Sequence, residues 1–427
     1  MKEVIIIGGG ISGLACGLHL AESGYKVTIL EKEAIIGGLA RSFFIQGKWL
    51  PLTYHFVSLT DKTTQAYIKK FGLLNQLRWI KSAQVYWYEN KLYHLSQPQH
   101  IFSFNPLDFR SKLRLLYLGL YVWLREDWNE LNTTDCKEWL NKIAGKKNTE
   151  MLFQNLMDIK FNMPLSSVSA GWLGNRMHYS IRNRDRYGYI DISWQELFNR
   201  MAEEIIKHKG EIFTDFEVSK VINSNVEGRD SSGKLISLSA DITVSTVPLP
   251  ILNNILNLPD EVKSRLSKMQ YKSLISFVCG STQNISQYYW SVVLKPHLVF
   301  GGFFNHTVLS PSSSIDDKSV YNFFTYLESN DPLFNYEDDK IKDIYVKDIR
   351  SLFANFSLDW YKIFRLEFSQ PIWVYNYKNL PIEFIDNIYL AGVYRQYPKP
   401  RTMDAAFYSG FETAQYIINK YGKDWSY

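Results

Sequence analysis

The sequence is short of cysteine, of excess charge and of long apolar runs. Its 427 residues hold three cysteines, Cys16, Cys136 and Cys279, an odd number at wide spacing. That spacing excludes a disulfide framework and a thiolate metal site, so no metal is expected, and it suits a reducing compartment, the cytoplasm. Basic residues number 48 and acidic ones 43, a net charge of +5. With no dense Lys/Arg block, this balance leaves no electrostatic footprint for nucleic acid. No run reaches the ~18 apolar residues that a membrane-spanning helix needs. The apolar run at the N-terminus is expected to be a strand rather than a secretion signal. With 46% hydrophobic residues, a chain of this length can bury the cores of two or three domains.

What is present is concentrated in the first forty residues. Val4, Ile5, Ile6 and Ile7 form an apolar run of strand type. Gly8, Gly10 and Gly13 follow at G-x-G-x-x-G spacing, with Ile11 and Ser12 inside the motif. Residues 14–21 are predicted to be a helix stopped at Gly24, and residues 26–30 a second strand ending on Glu31, with Lys32 after it. Strand, glycine turn, helix, strand and acid together make the dinucleotide-binding fingerprint in its required setting. The glycines let the backbone approach a pyrophosphate at the helix N-terminus. Glu31 can accept hydrogen bonds from ribose hydroxyls and repels a 2′-phosphate.

A second glycine pair, Gly37-Gly38, comes next, followed by Leu39, Ala40 and Arg41. A nicotinamide domain has no need of it. Here the chain resembles the flavoproteins of the amine oxidase, protoporphyrinogen oxidase and phytoene desaturase superfamily, and it is more loosely similar to the UDP-galactopyranose mutases through Tyr54-His55-Phe56. The resemblance extends to an apolar strand near 240–247 with Thr246 before Pro248, and to a strand closing on Gly392 followed by a helix from Met403, Asp404 and Ala405. It implies non-covalent FAD, with the adenosine ribose on Glu31, the pyrophosphate and flavin beside Gly37 to Arg41, backbone near Val218 against the adenine, and the last helix capping the flavin. The chain departs from the family at residues 192–194, which lack a Gly-Gly pair, and at Val393, where the family has an acid.

The expected fold is α/β: a discontinuous FAD-binding Rossmann-like domain (1–80, 186–250, 385–427) with an inserted mixed α+β substrate domain (81–185, 251–384), helical at about 106–180. Within it, residues 113–124 are the most apolar stretch. A buried helix is the first reading, and a peripheral patch on the inner face of a membrane is the second. The 28 Tyr, 26 Phe and 12 Trp suit either core packing or an aromatic-lined cavity. Arg176, Arg182, Arg184 and Arg395 are candidate anion binders, because the guanidinium fork suits phosphate or carboxylate; the alternative is a solvated basic loop. His55 is the candidate catalytic residue beside the flavin, since a histidine titrates near neutral pH. His306 is expected on a surface loop.

The resemblance implies an oxidoreductase that moves a hydride between flavin N5 and a small organic substrate, anionic and sugar- or prenyl-linked, with the electron acceptor open. The second reading is a redox-neutral mutase acting on a nucleotide sugar. The third is a scaffold that has lost its cofactor.

Overall fold

The computed structural model describes residues 2–422 except 90, 96, 223, 224, 295, 296 and 386, and leaves out the side chains of 159 and 160. The strand Glu3–Ile7 lies near the middle of a six-stranded sheet. Its β-branched residues are buried on both faces, as a parallel strand between helices requires. The chain leaves it at Gly8, whose φ of +105° few residues other than glycine adopt. The helix Ile11–Glu22 then runs back along the sheet to Lys26–Leu30. A Cβ on Gly13 would sit 2.0 Å from the Gly8 carbonyl oxygen. Glycine is therefore the residue that lets this helix start against the strand it has just left.

Across the sheet the order is Glu383–Ile385, Ile388–Leu390, Ile242–Ser245, Glu3–Ile7, Lys26–Leu30 and Glu211–Phe213. The last five of these are mutually parallel. Strands from four distant parts of the chain thus end on one edge. The C-terminal helix Met403–Tyr421 packs on Ile11–Glu22. Gly410 makes this approach, since a Cβ there would lie 2.3 Å from the Ser12 carbonyl oxygen.

A second, seven-stranded sheet is built from Trp360–Ile372, Gln270–Ser281, Ser319–Leu327, Gly302–Asn305, Trp290–Val293, Val85–Tyr88 and Lys91–His94. Alternate residues of its strands serve two faces. Ile275, Phe277 and Phe323 pack on Ile341, Tyr345 and Ile349 of the helix Asp338–Leu352. Phe324 and Tyr326 belong to a different cluster, which also holds the residues of Ile11–Glu22. The meander Glu217–Ile222, Asn225–Arg229 and Leu235–Ser239 is a separate antiparallel sheet. Half of its strand residues are polar and more than half are exposed, so the apolar pattern gives little sign of it beyond 222. The sequence of residues 84–95 predicts a hairpin turning at Glu89-Asn90; Asn90 lies outside the described residues, and the two flanking strands do pair.

Two expectations are corrected. The helix Phe109–Leu124 is not a buried core helix: only Ser111, Leu118 and Val122 are buried. One narrow side of it rests on the helix Ala170–Asn183, where the Nδ1–H of His178 donates to the Val122 carbonyl at 2.8 Å. The helices Pro98–Ser103, Cys136–Ile143 and Lys146–Asn148 also touch it, and Phe109, Leu113, Tyr117, Leu120, Trp123 and Leu124 remain exposed. His306 is not on the surface. It is buried, with its ring edge-on to Tyr189, and burial draws its pKa down to about 3. No helix among the described residues is long and apolar enough to cross a membrane, and the three cysteines are buried free thiols.

The Gly410 contact has a measurable consequence. Gly410→Ala forces the last helix away from Ser12 and is expected to cost about 1–3 kcal/mol, the usual range for overpacking. Urea unfolding checks it, and unchanged stability would mean that the two helices are free to separate.

Candidate functional site

The carboxyl edge of the six-stranded sheet opens into one cavity of about 880 Å³. Ligands bind at such an edge because the loops that leave the strands diverge there. Gly8, Glu31, Thr246 and Gly392 each follow the end of a sheet strand, and each lines the cavity. Gly10, Ile11 and Ser12 line it at the start of Ile11–Glu22, and Lys32, Gly37, Gly38, Leu39, Ala40, Arg41, Val218 and Met403 complete the wall.

The glycine turns form a cradle. Gly37 (φ +114°) and Gly38 (φ +59°) lie against the first turn, and the Gly37 N–H donates to the Gly9 carbonyl at 2.9 Å. A Cβ on Gly38 would come 3.1 Å from the Gly10 Cα. Gly10, at the N-cap of Ile11–Glu22, has no side chain to occupy the first N–H groups. They are left for an anion, and the helix dipole favours one there. Glu31 is buried, with Oε2 accepting from the Gly9 N–H at 2.6 Å and Oε1 from the Glu33 N–H at 2.9 Å. Burial raises its pKa, against the pull of those two N–H groups and of Arg41. Arg41 donates to the Gly38 carbonyl at 3.0 Å and pairs with Glu33 at 3.0 Å, which pins the second glycine turn to the chain beyond Glu31. Thr246 Oγ1 donates to the carbonyls of Ile7 and Gly8 at 3.0 and 3.1 Å and ties the crossing strand to the first turn.

Three cofactor candidates act differently. Gly13 serves helix–strand packing, as described above. Asp404 is absent from the cavity wall: its Oδ1 accepts from the Thr64 N–H at 2.9 Å and so caps the helix Lys62–Lys70. Ala405 also lies off the wall, and its N–H donates to Thr402 Oγ1 at 3.1 Å, with Met403 and Ala406 turned to the cavity instead. A helix shows successive residues about 100° apart, which puts Met403 and Ala406 on one side and turns Asp404 and Ala405 away from it.

The other end of the cavity is lined by Tyr54, His55, Phe56, Arg176, Tyr179, Trp290, Arg365, Gln370 and Arg401. Tyr54 stacks on Phe304 with centroids 4.1 Å apart, and its hydroxyl is 2.5 Å from that of Tyr326. Arg401 donates to Gln370 Oε1 at 3.2 Å and to the Tyr326 hydroxyl at 3.4 Å. Tyr179 donates to both carboxylate oxygens of Asp61, at 3.0 and 2.9 Å. Burial above all pushes Asp61 up to about 7.

Of the four candidate anion binders, only Arg176 reaches the cavity. Arg182 pairs with Glu126 at 2.7 Å on the outer side of the same helix; six residues at about 100° each turn it roughly 120° from Arg176. Arg184 is exposed at the helix end, in the left-handed region at φ +53°. Arg395 is buried and engaged, pairing with Glu412 at 3.2 Å and donating to the Leu380 carbonyl at 3.1 Å. Arg401 is the arginine that sequence reasoning passes over, and its place just before the helix-capping Thr402 is the signal that could have found it. Arg365 and Gln370 sit in an ordinary strand and carry no motif.

His55 lines the cavity, but not as a group that titrates near neutrality. Burial first, and the charge of Arg401 second, draw its pKa down to about 3. It is a neutral imidazole at physiological pH, with Nδ1 3.3 Å from the Thr53 carbonyl.

Comparison with known proteins gives a consistent picture. The family model described as "Flavin containing amine oxidoreductase" matches residues 11–418. An L-amino-acid oxidase of Sistrurus catenatus edwardsii is 25% identical over 263 residues, which are 57% of this chain and 50% of the relative. The chain thus spans about half the length of the curated oxidases that it matches first. A 15-cis-phytoene desaturase of an Oncidium hybrid cultivar is 21% identical, with 99% of this chain and 78% of the relative covered. Among solved structures, a candidate protoporphyrinogen oxidase of Exiguobacterium sp. 255-15 has a TM-score of 0.78 at 16% identity, covering 98% of this chain and 99% of that one. A reduced UDP-galactopyranose mutase has a TM-score of 0.77 at 15% identity, covering 99% and 96%. At these identities the structural likeness speaks for the fold.

The His55 geometry sets a pH dependence. Folded, the imidazole stays neutral down to about pH 3, whereas an unfolded histidine protonates near 6.5. Between those values the unfolded chain holds more protons, so His55 makes stability fall as pH falls. His55→Gln is expected to flatten that decline in urea unfolding measured across this window. An equal slope in both proteins would refute the buried, neutral imidazole.

Proposed function

We propose that the chain, which belongs to the flavin-containing amine oxidoreductase family, is an FAD-dependent oxidoreductase acting on a small anionic substrate. The observation that carries the substrate class is the pairing of arginines in the cavity. Four line it. Arg41 is neutralised by Glu33, and Arg365 by Asp338 at 2.8 Å. Arg176 and Arg401 have no carboxylate partner among the described residues; Arg401 meets only neutral groups. Two uncompensated guanidinium groups beside the aromatic rings of Tyr54 and Trp290 favour an anion with an apolar or planar body.

The residues present fit FAD. Gly10 and Gly38 let the two turns approach closely at the cavity wall, the helix start has free N–H groups for a pyrophosphate, and Glu31 keeps lone pairs for ribose hydroxyls. FAD, once bound, supplies a two-electron acceptor for a hydride from a substrate C–H. The chain's own residues do the rest. Arg176 and Arg401 fix the anionic end of the substrate, so that its reacting carbon is held in one orientation. Tyr54, Phe56 and Trp290 exclude water. His55, neutral, serves as a hydrogen-bonding wall and neither takes nor gives a proton near pH 7. No cysteine lines the cavity, which favours non-covalent binding.

Two measurements test this reading. The visible spectrum of the purified protein, before and after heat denaturation, is expected to show flavin, released as free FAD. A colourless protein that FAD cannot reconstitute would overturn the proposal, and net turnover against a fixed pool of reducing equivalents separates an oxidoreductase from a redox-neutral mutase. With the substrate in hand, Arg176→Gln is expected to raise KM about tenfold or more, the scale of a lost charged hydrogen bond. Arg182→Gln, on the outer side of the same helix, is expected to leave KM unchanged.

A further inference from the structure

The helix Phe109–Leu124 presents to solvent what an interior helix would bury. Phe109 is 67% exposed, Leu113 47%, Tyr117 57%, Leu120 53%, Trp123 45% and Leu124 61%. At about 100° per residue, five of these, all but Trp123, fall within a sector of roughly 80°, and Trp123 lies about 40° beyond it. Leu118 and Val122, which are buried, are on the opposite side. Phe102, 47% exposed, continues the face across the preceding turn, where Lys112 donates to its carbonyl at 2.8 Å. Gly119 has nothing within 4 Å of where a Cβ would stand. Single exposed apolar residues need no explanation, but a contiguous stripe of this size does.

The charges say what covers it. The helix contains Arg110, Lys112 and Arg114 and no acidic residue. The same angular count puts Arg110 and Arg114 along one edge of the apolar sector and Lys112 along the other. A second copy seated on the face by two-fold symmetry would bring these cationic edges together with no acid from the helix between them. An anionic lipid surface meets both features at once. Apolar side chains enter the acyl boundary, Tyr117 and Trp123 sit at headgroup level, and the basic edges face the phosphates.

We propose that this face docks on an anionic lipid bilayer, with the helix lying in the plane of the interface. The docking leaves the cavity free. Arg176 and Tyr179, on the helix underneath, reach the cavity wall from the far side.

Vesicle flotation of the FAD-loaded protein tests this. Wild type is expected to float with vesicles of phosphatidylglycerol and phosphatidylcholine, and at least tenfold less with phosphatidylcholine alone. The double variant Leu113→Glu, Leu120→Glu alters only exposed positions; it is expected to keep its flavin spectrum and to lose flotation at least tenfold. The variant Arg110→Gln, Lys112→Gln, Arg114→Gln tests the charge separately. It is expected to weaken binding about fivefold per residue and to reduce its salt dependence. The proposal falls if wild type does not float with anionic vesicles, or if neither variant changes its flotation. It also falls if lipid-free wild type is a dimer by light scattering that Leu113→Glu, Leu120→Glu makes monomeric, since the face would then belong to a second copy.

Discussion

Close approach of backbone to backbone at the first turn is the constraint on which the rest depends. Gly13 lies against the Gly8 carbonyl, and Gly410 against the carbonyl of Ser12, each at a distance that excludes a Cβ. The first contact starts a helix directly over the end of a strand. The second brings a helix from the far end of the chain onto the first one. Thr246 then closes the turn from a third direction, with hydrogen bonds to Ile7 and Gly8. Three remote segments therefore meet within a few ångströms, and the free N–H groups of one helix face the cavity they enclose. The anion seat is a product of steric permission more than of attractive contacts.

Charge then divides the cavity into two regions of different character. Near the glycine cradle Glu31 and Arg41 each have a local answer: Glu31 rests on two N–H groups, and Arg41 on Glu33. At the aromatic end Arg176 and Arg401 have no such answer among the described residues. The charge of Arg401 helps burial to hold His55 neutral, and both arginines oppose the upward push of burial on Tyr54. A histidine that appears suited to acid–base work by residue type is thus disqualified by its surroundings. In a cavity of low polarity, unpaired positive charge is costly unless something negative completes it, and this makes the arginine pair the most informative feature of the substrate end.

The helical region shows how an apolar pattern can mislead. The stretch around 113–124 has the composition of a core helix, and burial is the ordinary reading. What a helix buries depends on how many neighbours it has. Ala170–Asn183 takes the side of Leu118 and Val122, Pro98–Ser103 and Cys136–Ile143 also touch the helix, and a wide apolar side stays open. Periodicity reports how many apolar faces a helix has, not how many partners it meets.

Local features were legible from the residues alone. The strand–glycine–helix–strand–acid unit, the second glycine pair, the crossing strand at Thr246 and the closing strand at Gly392 all stand where their sequence signals put them. Each is enforced by short-range sterics: left-handed φ at Gly8 and Gly37, β-branching in the strands, and side-chain capping at Thr402. Tertiary structure alone decided which side chains face the cavity. Arg176 faces in and Arg182 out because of where helix Ala170–Asn183 is seated, and Asp404 turns from the cofactor side to cap a neighbouring helix. Arg401 enters because the chain loops back beneath the seven-stranded sheet. Direction within an element follows from long-range packing, and no window of neighbouring residues contains it.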